Sequence, residues 1–189
     1  PVAGRVLYVG AEDEPDEFHR RLAAILRHFN RSFEDLGDRL ELVALSDRDA
    51  TLMRPAAAQV MAPTQLMADL IERICAFKPN LIVLDTNADL FGGDEIKRPH
   101  VRAFIAEWRK VATQLNCAVL LLSHPSVAGM QSGTGLSGST AWNNSVRSRL
   151  YLTVPEGKNP DPDARVLSQK KSNYGSRDAE LKLRWRDGV

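Results

Sequence analysis

Acidic side chains crowd the ends of apolar runs in this chain. After the apolar residues 6–9 the chain turns at Gly10-Ala11, then carries Glu12, Asp13, Glu14, Asp16 and Glu17 within six positions. Downstream, the apolar residues 81–84 run straight into Asp85, and CAVLLL ends in Ser123-His124. Carboxylates gathered at one place repel each other unless a cation, and an anionic ligand bound to it, compensate them. The residue types suit chemistry on a metal-bound phosphate: one acid for the cation, one to orient water, and a polar ring against the ligand.

The elements that must position these groups alternate in type. RVLYVG reads as a buried strand. DEPDEFHRRLAAILRHFN reads as a helix with Pro15 in its first turn, where a missing N–H costs nothing and acids suit the dipole. Phe18, Leu22, Ile25, Leu26 and Phe29 follow helical spacing. RLELVALSDRDATLM reads as one strand or a small hairpin. Thr64 is the expected N-cap of TQLMADLIERICAF, whose Leu66, Leu70, Ile71 and Ile74 make an apolar stripe ended by Lys78-Pro79. LIVLD is then a strand, NADLFGGDEIKR a loop, VRAFIAEWRKVATQL a helix and CAVLLLS a central strand. HPSVAGMQSGTGLSGS holds five Gly or Pro and five Ser or Thr in sixteen residues, which favours mobility over packing. TAWNNSVR is a short helix, RLYLTV a strand and EGKNPDPD a loop, with ARVLSQKK and AELKLRWR as closing strands.

This alternation, with unbroken apolar strands, predicts an α/β fold with a mostly parallel sheet covered by helices on both faces. Ligands of such sheets sit beyond the strand C-termini. Glu12, Asp13, Asp85, Ser123 and His124 all fall at that edge.

With 189 residues, 43% of them hydrophobic, the chain is long enough to bury one core, and a single domain over 1–189 is expected. The net charge of +1 does not by itself point to nucleic acid or membrane. Residues 1–146 carry 15 basic and 18 acidic side chains, whereas residues 147–189 carry 10 and 6, so an acidic front precedes a basic tail. Cys75 and Cys117 both lie in apolar runs and read as small core residues. No apolar run approaches a membrane span and no signal peptide is evident, so a reducing cytoplasm is the expected compartment.

Two folds use an acidic strand edge in this way. A response-regulator receiver would take Glu12-Asp13, Asp85, Ser123 and Lys170, but 73 residues separate Glu12 from Asp85 and 47 separate Ser123 from Lys170, too many for one short helix per step. The other is a RecA-like ATPase core. YVGAEDEPDEFHRRL, LIVLDTNADLF, LLLSHPSVAGM, GSTAWNNSVRSRLYL, KKSNYG and LRWRDGV occur in the order and approximate spacing of RepA-type hexameric replicative helicases, of the AAA_25 group of RecA-fold ATPases. The chain resembles that family over residues 6–189.

The resemblance implies a RecA-like P-loop NTPase core with antiparallel strands at its C-terminal end. It implies ATP and Mg2+ as ligands, a homohexameric ring and movement on single-stranded DNA. Glu12 would orient the attacking water, Asp85 would be the Walker B acid holding Mg2+ with Asp13 beside it, and His124 would sense the γ-phosphate, next to Ser123. Arg147 would be an arginine finger offered to a neighbouring subunit, with Arg149 as its competitor. Lys171, or Lys170 beside it, would be a second basic contact. Gln131, Ser132, Gly133 and Thr134, in the glycine-rich loop, would face DNA, although that loop has no Lys, Arg or aromatic residue with which to attract phosphate or stack bases.

The family pattern departs in one place. No G-x-x-x-x-G-K-[ST] occurs in these residues, and the first strand matches the family's second. A Walker A segment upstream of Pro1 is therefore expected in the intact protein. The alternative is a non-catalytic RecA-fold module, an assembly or loading partner without a working phosphate loop. Plainer roles are also open for single residues: Glu12 and Asp13 as helix-start acids, His124 as an edge histidine, Asp89, Asp94 and Glu95 as solvated loop charges, and Trp108, Trp142 and Trp185 as core or interface residues.

Overall fold

The computed structural model describes residues 3–57, 60–157, 159–176 and 179–186. The last residues of the LRWRDGV block and Lys158 of the EGKNPDPD loop lie outside them. In chain order the elements begin with β1 (Val6–Gly10), α1 (Pro15–His28), β2 (Leu40–Ala44), β3 (Met53–Ala57), β4 (Val60–Pro63) and α2 (Gln65–Phe77). They continue with β5 (Leu81–Asp85), α3 (Asn87–Leu90), α4 (Arg98–Leu115) and β6 (Ala118–Leu121). The chain then forms α5 (Val127–Gln131), α6 (Ala141–Ser145), β7 (Ser148–Thr153), β8 (Ala164–Ser172) and β9 (Glu180–Arg184).

The main sheet has the order β2-β1-β5-β6, parallel throughout. Its interior strands are the two whose ends carry acids. On β1, Leu7 and Val9 point into the core and are fully buried, while Tyr8 and Gly10 face the other side. Ile82 and Leu84 of β5, Ile74 of α2 and Val101, Phe104 and Trp108 of α4 join Leu7 and Val9 in one cluster. Each such side chain contributes about 1.5–3 kcal/mol on burial. Over the opposite face lies α1, where Phe18 packs on the Tyr8 ring at a centroid distance of 4.9 Å.

Local signals explain most element limits. Pro15 opens α1, with Asp16 and Glu17 in its first turn. Thr64 accepts a hydrogen bond from the Met67 N–H as the N-cap of α2, and Lys78 ends that helix in the left-handed region.

Several expectations need correction. RLELVALSDRDATLM takes the first of its two readings, with the single strand β2, and a hairpin that was not foreseen lies further on, as β3–β4, in a Pro- and Ala-rich stretch that carries little strand signal. The CAVLLLS strand is not central: β6 ends the sheet among the described residues, and Leu120 is 41% exposed. Ile25 and Phe29 of the α1 stripe are exposed, and only Leu26 of that helix is buried. Cys75 is exposed too, because it turns away from the fully buried Ile74 beside it on α2. Cys117 is half-buried against the core, and burial pushes its thiol upward in pKa.

The C-terminal strands form a separate antiparallel sheet, β7-β8-β9. The glycine-rich segment before it is closed on itself. Ser126 Oγ accepts from the Gly129 N–H at 3.0 Å and donates to the Leu136 carbonyl at 2.8 Å, and the Gly135 N–H donates to the Gly129 carbonyl at 2.9 Å. A Cβ on Gly129 would lie 2.0 Å from the Leu136 oxygen, so no larger residue fits that closure. The expected mobile stretch is thus locally well bonded.

Candidate functional site

Parallel register sets the site. Gly10 of β1 stands opposite Asp85 of β5, so both chains leave the sheet at one level. The Ala11 N–H donates to the Asp85 carbonyl at 2.7 Å and carries the ladder one residue further. Glu12 follows there, beside Thr86, and the Asp85–Thr86 peptide is cis. On the other side of β5, the Leu122 N–H donates to the Leu84 carbonyl at 2.9 Å, and the Asn87 N–H donates to the Leu122 carbonyl at 2.8 Å. These bonds bring Ser123 and His124 to the same edge.

Side chains then converge. His124 Nε2 lies 3.2 Å from Glu12 Oε1, and since a carboxylate only accepts, the imidazole is the donor. Thr86 Oγ1 donates to Asp89 Oδ2 at 2.7 Å and lies 3.4 Å from the same Glu12 oxygen. The Glu12 side chain is 47% exposed and that of His124 72%, so the pair faces solvent, open to a ligand. Asp85 is half-buried, and its Oδ2 accepts a hydrogen bond from the Tyr8 hydroxyl. Burial, reinforced by that bond to the carboxylate, pushes the Tyr8 phenol far above its ordinary pKa, so it stays a donor at physiological pH. Asp13 instead pairs with Arg21 at 2.5 Å. Ser123 is exposed at the strand end.

The donors fit a hard cation. Among the described residues no group of three or more His, Cys, Asp or Glu is arranged to hold a metal. Mg2+ does not need one: it is held by one or two carboxylates, with water and substrate phosphates completing its shell. Asp85, with its second oxygen free of hydrogen bonds among the described residues, suits that role.

A second group lies at the start of the C-terminal sheet. Arg147 is exposed and makes no side-chain hydrogen bond or ion pair among the described residues. Arg149 is half-buried: its Nε donates to Asn143 Oδ1 at 3.0 Å and its Nη1 to the Thr134 carbonyl at 2.8 Å. Lys171 Nζ donates to the carbonyls of Asn143 and Asn144 at 2.7 and 3.2 Å, whereas Lys170 is exposed. Gln131, Ser132, Gly133 and Thr134 are all exposed, beside exposed Val127 and Met130.

Sequence reasoning placed Glu12, Asp13, Asp85, Ser123 and His124 at one edge; the structure brings Glu12, Asp85, Ser123 and His124 there, whereas the Asp13 carboxylate turns to Arg21. Sequence reasoning missed Tyr8, Thr86 and Asp89. Tyr8 carried one signal, a polar-tipped residue in an otherwise aliphatic strand. Asp89, read as a solvated loop charge, is exposed as expected but lies on α3 and accepts a hydrogen bond from the Thr86 hydroxyl beside the site.

Known proteins share this architecture. The crystal structure of the RadB recombinase superposes with a TM-score of 0.62 at 16% identity, covering 96% of this chain and 76% of that one. A second solved structure, of an ATPase domain, superposes with a TM-score of 0.65 at 13% identity, covering 96% of this chain and 71% of that one. The fold is therefore RecA-like. The AAA_25 family, described as an AAA domain, matches residues 1–130. The chain belongs to the AAA_25 family.

Proposed function

We propose that this chain is the core of an ATP-hydrolysing ring ATPase of the RepA-like replicative helicase type, which couples hydrolysis at subunit interfaces to movement on single-stranded DNA. The observation that carries this reading is the convergence of Glu12, Asp85 and His124 at the ends of three adjacent parallel strands, with His124 3.2 Å from Glu12. Phosphoryl transfer needs little covalent help from a protein; it needs positioned water and compensated charge.

Each residue has a part. Asp85 would hold Mg2+, directly or through water, Asp13 would join it on leaving its Arg21 partner, and Ser123 would contribute a hydroxyl at the phosphate end. When bound, the cation neutralises charge on the phosphate oxygens. Glu12 accepts a proton from the attacking water and fixes its direction. His124 restrains that carboxylate in the free site; turning its Nε2–H to a γ-phosphate oxygen releases Glu12 for the water. Arg147 reaches a neighbouring subunit's nucleotide, which makes a homo-oligomer, a hexamer by family resemblance, part of the mechanism. Lys171 fixes the segment before Arg147, and Lys170 adds an exposed positive charge near it. Gln131, Ser132, Gly133 and Thr134 meet DNA through hydroxyl, amide and backbone groups.

ATP hydrolysis by the intact protein, measured with and without single-stranded DNA, tests the reading. Glu12→Gln should lower kcat by about 10^2- to 10^4-fold with little change in KM. Wild-type turnover in that variant would remove Glu12 from the chemistry. A protein that binds DNA or partner proteins but hydrolyses no ATP in any condition would instead be a RecA-fold loading or assembly module.

A further inference from the structure

Tyr8 stands behind the strand-edge site, and three features aim it. It lies on the middle of β1, opposite Val83 of β5, with Gly10 opposite Asp85 two residues further along. Its side chain must lean forward across Gly10 to reach the carboxylate, and Gly10 leaves the room: a Cβ there would stand 3.1 Å from Tyr8 Cε1. Phe18 of α1 closes over the ring, 4.9 Å away between centroids. The hydroxyl then donates to Asp85 Oδ2. A buried tyrosine usually finds some partner for its hydroxyl. Here the partner is the carboxylate that ends a core strand, and no other side chain bonds to that carboxylate among the described residues.

We infer that Tyr8 is the positioning residue for Asp85, which fixes the carboxylate plane by occupying Oδ2 and leaves Oδ1 toward the cation. The inference rests on the reading of Asp85 as the magnesium-associated acid. Without the phenol, the carboxylate is free to rotate about its last torsion, and metal binding must first restrict it. Groups that orient a metal ligand in this way typically change metal affinity or activity by about 10- to 100-fold when removed. The Tyr8 hydroxyl acts through the Asp85 carboxylate that it bonds, so its effect falls on metal affinity and not on the chemistry at saturating metal.

Binding of Mn2+ to the intact protein with ADP, followed by the electron paramagnetic resonance of free Mn2+, provides the test. Tyr8→Phe keeps the ring against Phe18 and removes the hydroxyl. It should raise the half-saturating Mn2+ concentration about 10-fold, with melting temperature and metal-free ADP binding near wild type. In hydrolysis, the Mg2+ requirement should rise by a similar factor while kcat at saturating Mg2+ returns close to wild type. Asp85→Asn is the reference and should lose more; adding Tyr8→Phe to it should cost nothing further, because the two act as one unit. Wild-type Mn2+ binding by Tyr8→Phe, with binding lost in Asp85→Asn, would overturn the role of Tyr8 and leave the site intact. Unchanged binding in both would overturn the reading of Asp85, and the inference with it. Should Tyr8→Phe fold poorly, Gly10→Ala crowds the ring while keeping the hydroxyl, and it should weaken Mn2+ in the same direction; no shift there would equally overturn the inference.

Discussion

The strand-edge site and the Arg147 group are built by different means. At the first, the functional residues stand at or just beyond the ends of adjacent parallel strands, and register brings Glu12, Asp85 and His124 together. At the second, the basic side chains are held by backbone carbonyls: Thr134 takes Arg149, and Asn143 and Asn144 take Lys171. Arg147 is left exposed. The two interior strands behind the first site bury Leu7, Val9, Ile82 and Leu84 fully, whereas β7 and β9 keep Leu150, Leu152, Leu181 and Leu183 exposed. A rigid site suits chemistry within one subunit. A loosely covered one, presenting an exposed cation, suits chemistry completed by a neighbour.

The largest effect that can break this contrast concerns the two arginines. Arg147→Ala should lower ATP hydrolysis by about 10^3- to 10^5-fold and leave the melting temperature unchanged, since no group among the described residues binds that side chain. Arg149→Ala should do the opposite. It strips a partner from the Thr134 carbonyl and from Asn143 Oδ1, which should destabilise the protein by about 1–3 kcal/mol while kcat falls far less. Parallel thermal melts and turnover measurements decide it. If Arg149→Ala abolishes hydrolysis without loss of stability, the finger assignment moves to Arg149.

A smaller effect separates the two sheets. Leu84 is fully buried on β5 next to Asp85, and Leu84→Ala should cost about 2–5 kcal/mol in denaturant unfolding. Leu152, on β7, is 53% exposed, and Leu152→Ala should stay within about 0.5 kcal/mol of wild type. A large cost at Leu152 would mean that the C-terminal sheet is packed as tightly as the main one.

What the sequence makes legible follows the same division. Parallel strands buried on both faces are unbroken apolar runs, so LIVLD and VLYVG, and the acids after them, stand out without a structure. Thr64 as a cap is equally local. The hairpin β3–β4 is not legible, because Pro55, Pro63 and the alanines between them give neither alternation nor a turn signature. The bond from Tyr8 to Asp85 depends on register across 77 residues and on the missing Cβ of Gly10, neither of which a one-dimensional pattern holds. Arg147 and Arg149 share parity along the chain, so alternation treats them alike. What separates them is the Thr134 carbonyl, fifteen residues from Arg149, and the register shift between Arg149 and Leu150 where β7 joins β8.

The smallest effect probes whether the glycine-rich loop is independent of the sheet that carries the chemistry. Ser126 caps α5 and also donates to the Leu136 carbonyl, so its hydroxyl fastens both ends of the closure. Ser126→Ala removes both bonds, but the Ser126 N–H still donates to Leu136 at 3.2 Å, and Arg149 still holds Thr134. The loss should therefore be local, about 1 kcal/mol, or roughly a 5-fold rise in amide exchange confined to residues 126–136. Amides of β1 and β5 should exchange as in wild type, because their hydrogen bonds lie in another sheet. If exchange in β5 rises with that in the loop, the two regions open as one unit. The loop that faces outward would then be mechanically continuous with Asp85, and the contrast between a rigid site and an independent C-terminal region would fail.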